Sequence, residues 1–216
     1  MYAVHQCARF VTDPRQDHGD AIEYLVRYLK GTPDKGVSLR PDKNKAFEVY
    51  ADADFAGNWN KEFAGEDPST AKSRSGWVIT YASCPVLWAS KIQSQVALST
   101  TEAEYIALSM ALRDVIPLME LAQEIKNKGF NIFCEEPHVY CKAFEDNSGA
   151  LEMARLPKMR PRTKHINVCY HHFREYVRKG IIKIFPIDTT EQVADIFTKT
   201  LVQNTFVKLR RKLLGY

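Results

Sequence analysis

The sequence predicts an α/β domain: a five-stranded mixed sheet, strand order 3-2-1-4-5, flanked by helices. Three observations lead there. Strand-like segments crowd together between residues 47 and 89, close enough to be joined by short turns. Two further strand-like segments, at 138–144 and 181–187, each follow helical stretches, so they are reached by crossovers. Such crossovers are right-handed, which lays the fourth strand beside the first, parallel to it, with helices on both faces.

In chain order, Asp17 to Lys30 carries Ile22, Leu25, Val26 and Leu29 at helical spacing, closed by Gly31, Pro33 and Gly36. In the first strand, Phe47, Val49 and Ala51 alternate with Glu48, Tyr50 and Asp52. Asn58 to Ser75, with Gly65 and Pro68, lacks periodicity and reads as a loop. Gly76–Ala82 and Pro85–Ala89 form a hairpin around Ser83-Cys84-Pro85. Ser99 offers an N-cap to a helix running through Leu112, and Pro117 is expected to start a second helix that ends before Gly129. The fourth strand leads into a short helix at Asn147–Ala154 and a basic, proline-broken loop at 155–164. A helix at Ile166–Arg178, the fifth strand, and helices at Glu191–Lys199 and Phe206–Leu214 complete the chain. Residues 1–45 read as an appendage with one amphipathic helix and a short strand, 46–200 as the sheet domain, and 201–216 as a basic C-terminal helix.

The 216 residues are 45% hydrophobic and 26% charged, a globular composition that excludes wholesale disorder and a disulfide miniprotein. Five cysteines without a C-x-x-C pair read as free thiols in a reducing compartment. No apolar run approaches the roughly 18–20 residues of a transmembrane helix, so no membrane partner is expected, and the polar start suggests no signal peptide. Net charge is +4, but residues 151–216 hold fourteen Lys and Arg against five Asp and Glu. A basic C-terminal third on an acidic body suggests an anionic partner met from one side.

Phosphate-binding glycine loops, nucleophile elbows and H-E-x-x-H zinc motifs are missing. Four acids stand out instead: Asp52 in the first strand, Glu104 in the first turn of the long helix, Asp146 at the end of the fourth strand, and Asp195 after the fifth. Singly, each has an ordinary reading as a cap, turn or helix-dipole residue. Parallel first and fourth strands, however, put Asp52 and Asp146 side by side. Clustered carboxylates repel one another, and a divalent cation is the usual remedy. All-oxygen ligation suits Mg²⁺ or Mn²⁺, and two such ions about 3.5–4 Å apart would serve phosphodiester hydrolysis. Periodicity leaves two choices open, because Asp54 shares a strand face with Asp52, and Glu102 competes with Glu104.

Five segments in order carry a resemblance: Val49-Tyr50-Ala51-Asp52-Ala53-Asp54-Phe55-Ala56-Gly57, Leu98-Ser99-Thr100-Thr101-Glu102-Ala103-Glu104-Tyr105-Ile106-Ala107-Leu108, Glu145-Asp146-Asn147-Ser148, Arg162-Thr163-Lys164-His165-Ile166, and Glu191-Gln192-Val193-Ala194-Asp195-Ile196-Phe197-Thr198-Lys199. Together they resemble the ribonuclease H domain of Copia-type LTR retrotransposon polyproteins, over most of residues 46–200. Ala8-Arg9-Phe10 and Tyr28-Leu29-Lys30-Gly31-Thr32 resemble the segment that follows the reverse transcriptase, whose own active-site motif is missing. The resemblance implies a ribonuclease H-like fold and cleavage of RNA in RNA–DNA hybrids with two Mg²⁺ or Mn²⁺ ions. It carries the metal-binding, catalytic set over to Asp52, Glu104, Asp146 and Asp195, choosing Asp52 over Asp54 and Glu104 over Glu102. It also implies the polymerase portion of the same polyprotein as a partner and a cytoplasmic, virus-like-particle or nuclear location. One departure stands out: the loop Asp188-Thr189-Thr190 lacks the flexible His of cellular members of the superfamily.

Arg155, Lys158, Arg160, Arg162 and Lys164, with His165, form a basic stretch suited to phosphate contacts, with a solvated loop as the plainer alternative. Asn147 and Ser148 could bond an RNA 2′-hydroxyl or cap the following helix. His165, Cys169 and His172 share one helical stripe, which could start a zinc site or pack on the sheet. Trp59, Trp77 and Trp88 read as core or loop anchors. A function of a different class fits the same features: a catalytically silent module, derived from a retroelement, that binds nucleic acid or a polymerase.

Overall fold

The computed structural model describes residues 1–62, 65, 67–132, 139–155 and 168–216, with no side-chain description for 168 and 169. A five-stranded sheet in the order β3-β2-β1-β4-β5 forms its centre. The strands are β1 (Phe47–Asp54), β2 (Arg74–Tyr81), β3 (Cys84–Ile92), β4 (Cys141–Glu145) and β5 (Ile182–Pro186). β1 runs antiparallel to β2 and parallel to β4, as the sequence predicts, and β5 is parallel to β4.

The helices are α1 (Tyr2–Ala8), α2 (Gln16–Lys30), α3 (Thr100–Asn127), α4 (Ser148–Arg155), α5 (Arg174–Arg178) and α6 (Gln203–Leu214). Strand alternation divides the core in two. Phe47, Val49 and Ala51 of β1, with Trp77, Ile79, Cys141 and Ala143, pack against Tyr105, Leu108, Leu112 and Val115 of α3. On the other face Val78 packs with Val193, Phe197 and Leu209, and Tyr50 leans on this second cluster. Trp77 is fully buried and donates its indole N–H to Asp114, so it is the core anchor; Trp59 and Trp88 are exposed.

Several elements differ from their sequence expectation. α3 passes straight through Pro117 instead of stopping there. Proline removes one N–H, leaving the carbonyl of Arg113 without a helical partner. Pro117 and Arg113 both lie on the exposed face of α3, where water can serve that carbonyl, while Val115, Ile116 and Met119 stay packed. The hairpin turns at Ala82 and Ser83, both in the left-handed region, so Cys84 already pairs with Tyr81. Pro85 falls inside β3, which tolerates it as an edge strand.

Of the stretch expected as one helix over 166–178, the described residues form a 3₁₀ turn, Val168–His171, followed by α5. The break lets His171 reach the Tyr105 hydroxyl at 2.7 Å while Phe173 buries completely. The stretch at 191–199 is likewise 3₁₀, as Thr189–Glu191 and Val193–Phe197. The first 45 residues hold two helices and, among the described residues, no strand. They lie against the sheet domain: Gln6 accepts from Arg74 at 3.0 Å and donates to Asn58 at 2.7 Å, and Tyr28 accepts from Arg210 at 3.0 Å. No helix among the described residues is long and apolar enough to cross a membrane.

Candidate active site

The strand register builds one end of the sheet into an acidic site. β1 and β4 pair in parallel through Tyr50 and Phe144, so two residues further on Asp146 falls beside Asp52. Asp52 is 1% exposed and faces the side carrying the Val193–Phe197 turn. Glu104 comes from the opposite face. Its Oε2 accepts the Ala53 N–H at 2.8 Å, which pins the first turn of α3 to β1. Asp52, Glu104 and Asp146 each bring a carboxylate oxygen into a group lying within 4.8 Å of one another.

Both register choices have a geometric counterpart. Glu102 turns backward and accepts the Leu98 N–H at 2.8 Å, while the Ser99 hydroxyl accepts the Glu102 N–H at 3.1 Å. Glu102 is thus a cap residue. Asp54 folds back over Gly57, where a Cβ would meet its Oδ2 at 1.8 Å, and so stays out of the acidic group.

Asp195, in the second 3₁₀ turn, reaches the site from the same side as Asp52 but is not one of the group of three. Its partner is Lys199. The Lys199 Nζ lies 2.9 Å from Asp195 Oδ1 and 3.4 Å from Asp52 Oδ1. The contact to Asp195 is an ion pair without the alignment of a hydrogen bond. The Thr198 hydroxyl donates to Asp52 Oδ2. The turn comes this close because its neighbour on the sheet is Gly76, the partner of Asp52 across β2, where any Cβ would meet Phe197 and Thr198.

Electrostatics follow from this crowding. Burial, then the Asp52, Glu145 and Asp146 charges, push the Glu104 carboxyl far above the usual carboxylate range, against the pull of the Ala53 N–H. Burial and Asp52 raise Asp195 to about 7 even though Lys199 opposes the shift. Asp146 is raised by burial and by the Asp52 charge, offset in part by the Thr189 side chain and the Lys199 charge. Burial also raises Glu145, whose Oε1 accepts the Asn147 N–H at 3.1 Å and whose Oε2 is buried without a partner. A hard dication fits this donor set, because every ligand would be a carboxylate oxygen and the ion's charge would offset the repulsion among them.

The structure therefore brings together Asp52, Glu104 and Asp146, with Asp195 adjoining through Lys199. Asn147 does serve as a cap, its Oδ1 accepting the Ala150 N–H at 3.0 Å, and Ser148 is exposed beside it. Arg155 is exposed, yet it is anchored to the sheet. Its guanidinium bonds the Ile184 carbonyl, because the edge strand β5 leaves that acceptor open. Lys158, Arg160, Arg162, Lys164 and His165 lie outside the described residues, as does the Cys169 side chain. Among the described residues of the stripe considered for zinc, Val168–His171 is 3₁₀ rather than α-helical, and the neighbouring His171 is engaged by Tyr105. Cys7, Cys84 and Cys141 are free thiols. Sequence reasoning overlooked Lys199, Thr198, Glu145 and Gly76. Lys199 had a signal, lying four residues after Asp195, but that spacing reads as a surface ion pair.

No family model matches the chain. Its homologues are retrovirus-related Pol polyproteins from plant transposons. It is 34% identical over 214 residues to that of transposon TNT 1-94 of Nicotiana tabacum, and 32% identical over 212 residues to that of transposon RE2 of Arabidopsis thaliana. These matches cover 99% and 98% of this chain but only 15% and 13% of the polyproteins. The chain thus spans about one seventh of the curated relatives' length. Among solved structures, LC11-RNase H1, isolated from compost, covers 71% of this chain and 93% of its own, at 15% identity and a TM-score of 0.48.

Proposed function

We propose that this chain is a divalent-cation-dependent endoribonuclease of the ribonuclease H type, hydrolysing the RNA strand of RNA–DNA hybrids for a Copia-type retroelement. The observation that carries the reading is the convergence of Asp52, Glu104 and Asp146 within 4.8 Å at one end of the sheet, supplied by β1, α3 and β4. Homology to transposon Pol polyproteins supports it independently.

Asp52, Glu104, Asp146 and Asp195 would hold Mg²⁺ or Mn²⁺, two ions in the full site. When bound, these ions activate water and stabilise the leaving oxygen of a phosphodiester. The chain's own residues do the rest. The Ala53 N–H fixes one oxygen of Glu104, and the Thr198 hydroxyl fixes one oxygen of Asp52, so both carboxylates are oriented before substrate arrives. The Asn147 amide and the exposed Ser148 hydroxyl flank Asp146, where they would meet a ribose 2′-hydroxyl. Arg160, Arg162, Lys164 and His165 are assigned to the phosphate backbone. The proposed partner is the reverse transcriptase portion of the same polyprotein, and α2 offers it exposed Ile22, Val26 and Leu29. The proposed setting is a cytoplasmic virus-like particle.

The test is incubation of the full chain with labelled RNA–DNA hybrid, single-stranded RNA or duplex DNA in Mg²⁺ or Mn²⁺, with and without chelator. The expected result is cleavage confined to the RNA of the hybrid and abolished by chelator. Hybrid binding without cleavage would leave a silent nucleic-acid-binding module in its place.

A further inference from the structure

The four acids do not share one state. Asp52, Glu104 and Asp146 bring their oxygens within 4.8 Å of one another, whereas Asp195 stands outside that group and faces an ammonium that also reaches Asp52. Lys199 stands between Asp195 and Asp52, at 2.9 and 3.4 Å, on the side of the site that a second ion bridging those two acids would occupy. Its seat is built. The Lys199 N–H bonds the Asp195 carbonyl at 3.2 Å, the Phe197 carbonyl accepts the Ser90 hydroxyl at 2.6 Å, and Thr198 is tied to Asp52. These bonds hold the backbone, while the Lys199 side chain keeps 35% of its surface open to solvent. The ammonium can therefore leave without the turn moving.

We infer that Lys199 is an internal cation of the metal site. It neutralises the Asp52–Asp195 side, so that one divalent ion binds Asp52, Glu104 and Asp146 and a second binds only by displacing the ammonium. This rests on the metal-dependent reading above and adds to it a residue that sets how many ions the protein holds. The physics is simple competition. A singly charged group about 3–3.5 Å from two carboxylates offsets part of the attraction a dication would feel, and repels that dication directly. Lysine suits the role because a compact ammonium on a flexible stem can swing into water. Asp54 and Asp146 also feel the Lys199 charge, and Arg74 acts on Asp54, but among the described residues Lys199 forms its ion pairs with Asp52 and Asp195.

The experiment is calorimetric titration of Mn²⁺ into the full-length chain and its Lys199→Met and Lys199→Arg variants, without nucleic acid, with circular dichroism to confirm folding. The wild-type protein should bind one ion tightly and a second weakly. Lys199→Met should tighten the second site by about tenfold or more while sparing the first, because the competing charge is gone. Lys199→Arg, which keeps the charge, should resemble wild type. Lys199→Met with unchanged stoichiometry and affinities would overturn the inference, and so would Lys199→Arg behaving like Lys199→Met. Hybrid cleavage by the wild type separates the two claims. If it cuts and Lys199→Met titrates like wild type, the nuclease reading stands and the role of Lys199 fails. If neither protein binds Mn²⁺, both fail.

Discussion

Gly76→Ala adds a single methyl group at the place where the sheet meets the turn carrying Asp195. An added Cβ would sit 2.6 Å from the Phe197 Cβ, 2.7 Å from the Thr198 Cγ2 and 3.1 Å from the Phe197 carbonyl carbon. Carbon atoms rest about 3.5–4.0 Å apart, so the turn must retreat by about 1 Å. It cannot do so freely, because Phe197 is buried, its carbonyl accepts from Ser90, and Thr198 holds Asp52. Overpacking of this kind costs about 1–3 kcal/mol. Alanine also restricts the unfolded chain, a gain of about 0.4–1 kcal/mol wherever the backbone accepts it. The expected net loss is therefore about 1–2 kcal/mol, read by urea unfolding in chelator. Moving Asp195 and Thr198 by about 1 Å should also lower hybrid cleavage by about a hundredfold. A Gly76→Ala protein with unchanged or increased stability and full activity would refute the claim that this contact positions the turn.

Other perturbations separate the acids and the segments. Glu104→Gln should abolish Mn²⁺ binding by calorimetry, whereas Glu102→Gln should keep it and cost about 1 kcal/mol through the weakened cap at Leu98. Without divalent ions, melting temperature should fall as pH rises. Asp195 moves from 3.8 to about 7 on folding and Glu104 moves upward too, so between about pH 4 and 7 the folded protein holds protons that the unfolded chain has released. Mg²⁺ should flatten or reverse that slope, since ion binding displaces the same protons. A chain shortened to begin at Lys45 strips Arg74 of its bond to Gln6 and of the Tyr2 ring over its guanidinium. It should lose about 1–3 kcal/mol yet keep its circular dichroism spectrum, and complete unfolding would show that residues 1–44 belong to the domain.

The sheet was legible because its cues are local. Alternation in Phe47–Asp54 and a break between Gly76–Ala82 and Pro85–Ala89 mark the antiparallel strands, although the turn falls at Ala82-Ser83 rather than Ser83-Cys84-Pro85, and the handedness of crossovers does the rest. The site followed from that topology, since parallel β1 and β4 require Asp52 and Asp146 to be neighbours. Choosing Glu104 over Glu102 needed the resemblance, because spacing alone cannot tell a cap from a ligand. The failures have a common physical cause: tertiary contacts outweighed local rules. Pro117 stays inside α3 because the carbonyl it orphans belongs to Arg113 on the exposed face and its neighbours are packed. Within the helical patterns at 166–178 and 191–199, Val168–His171 and Val193–Phe197 become 3₁₀ turns because Phe173, His171 and Phe197 each gain a buried partner that way. Lys199 could not be placed from sequence, since an i,i+4 Asp–Lys pair looks the same on a solvated helix as at an active site.

The central claim is that Asp52 holds the ions that make this chain a nuclease. The direct measurement is cleavage of labelled RNA–DNA hybrid in Mn²⁺ by the wild-type chain and by Asp52→Asn, with matched circular dichroism spectra. The account predicts that the wild type cuts the RNA strand and that the folded Asp52→Asn protein does not. A folded Asp52→Asn protein that cuts like wild type, or a wild-type chain that binds hybrid and never cuts it, would contradict the account.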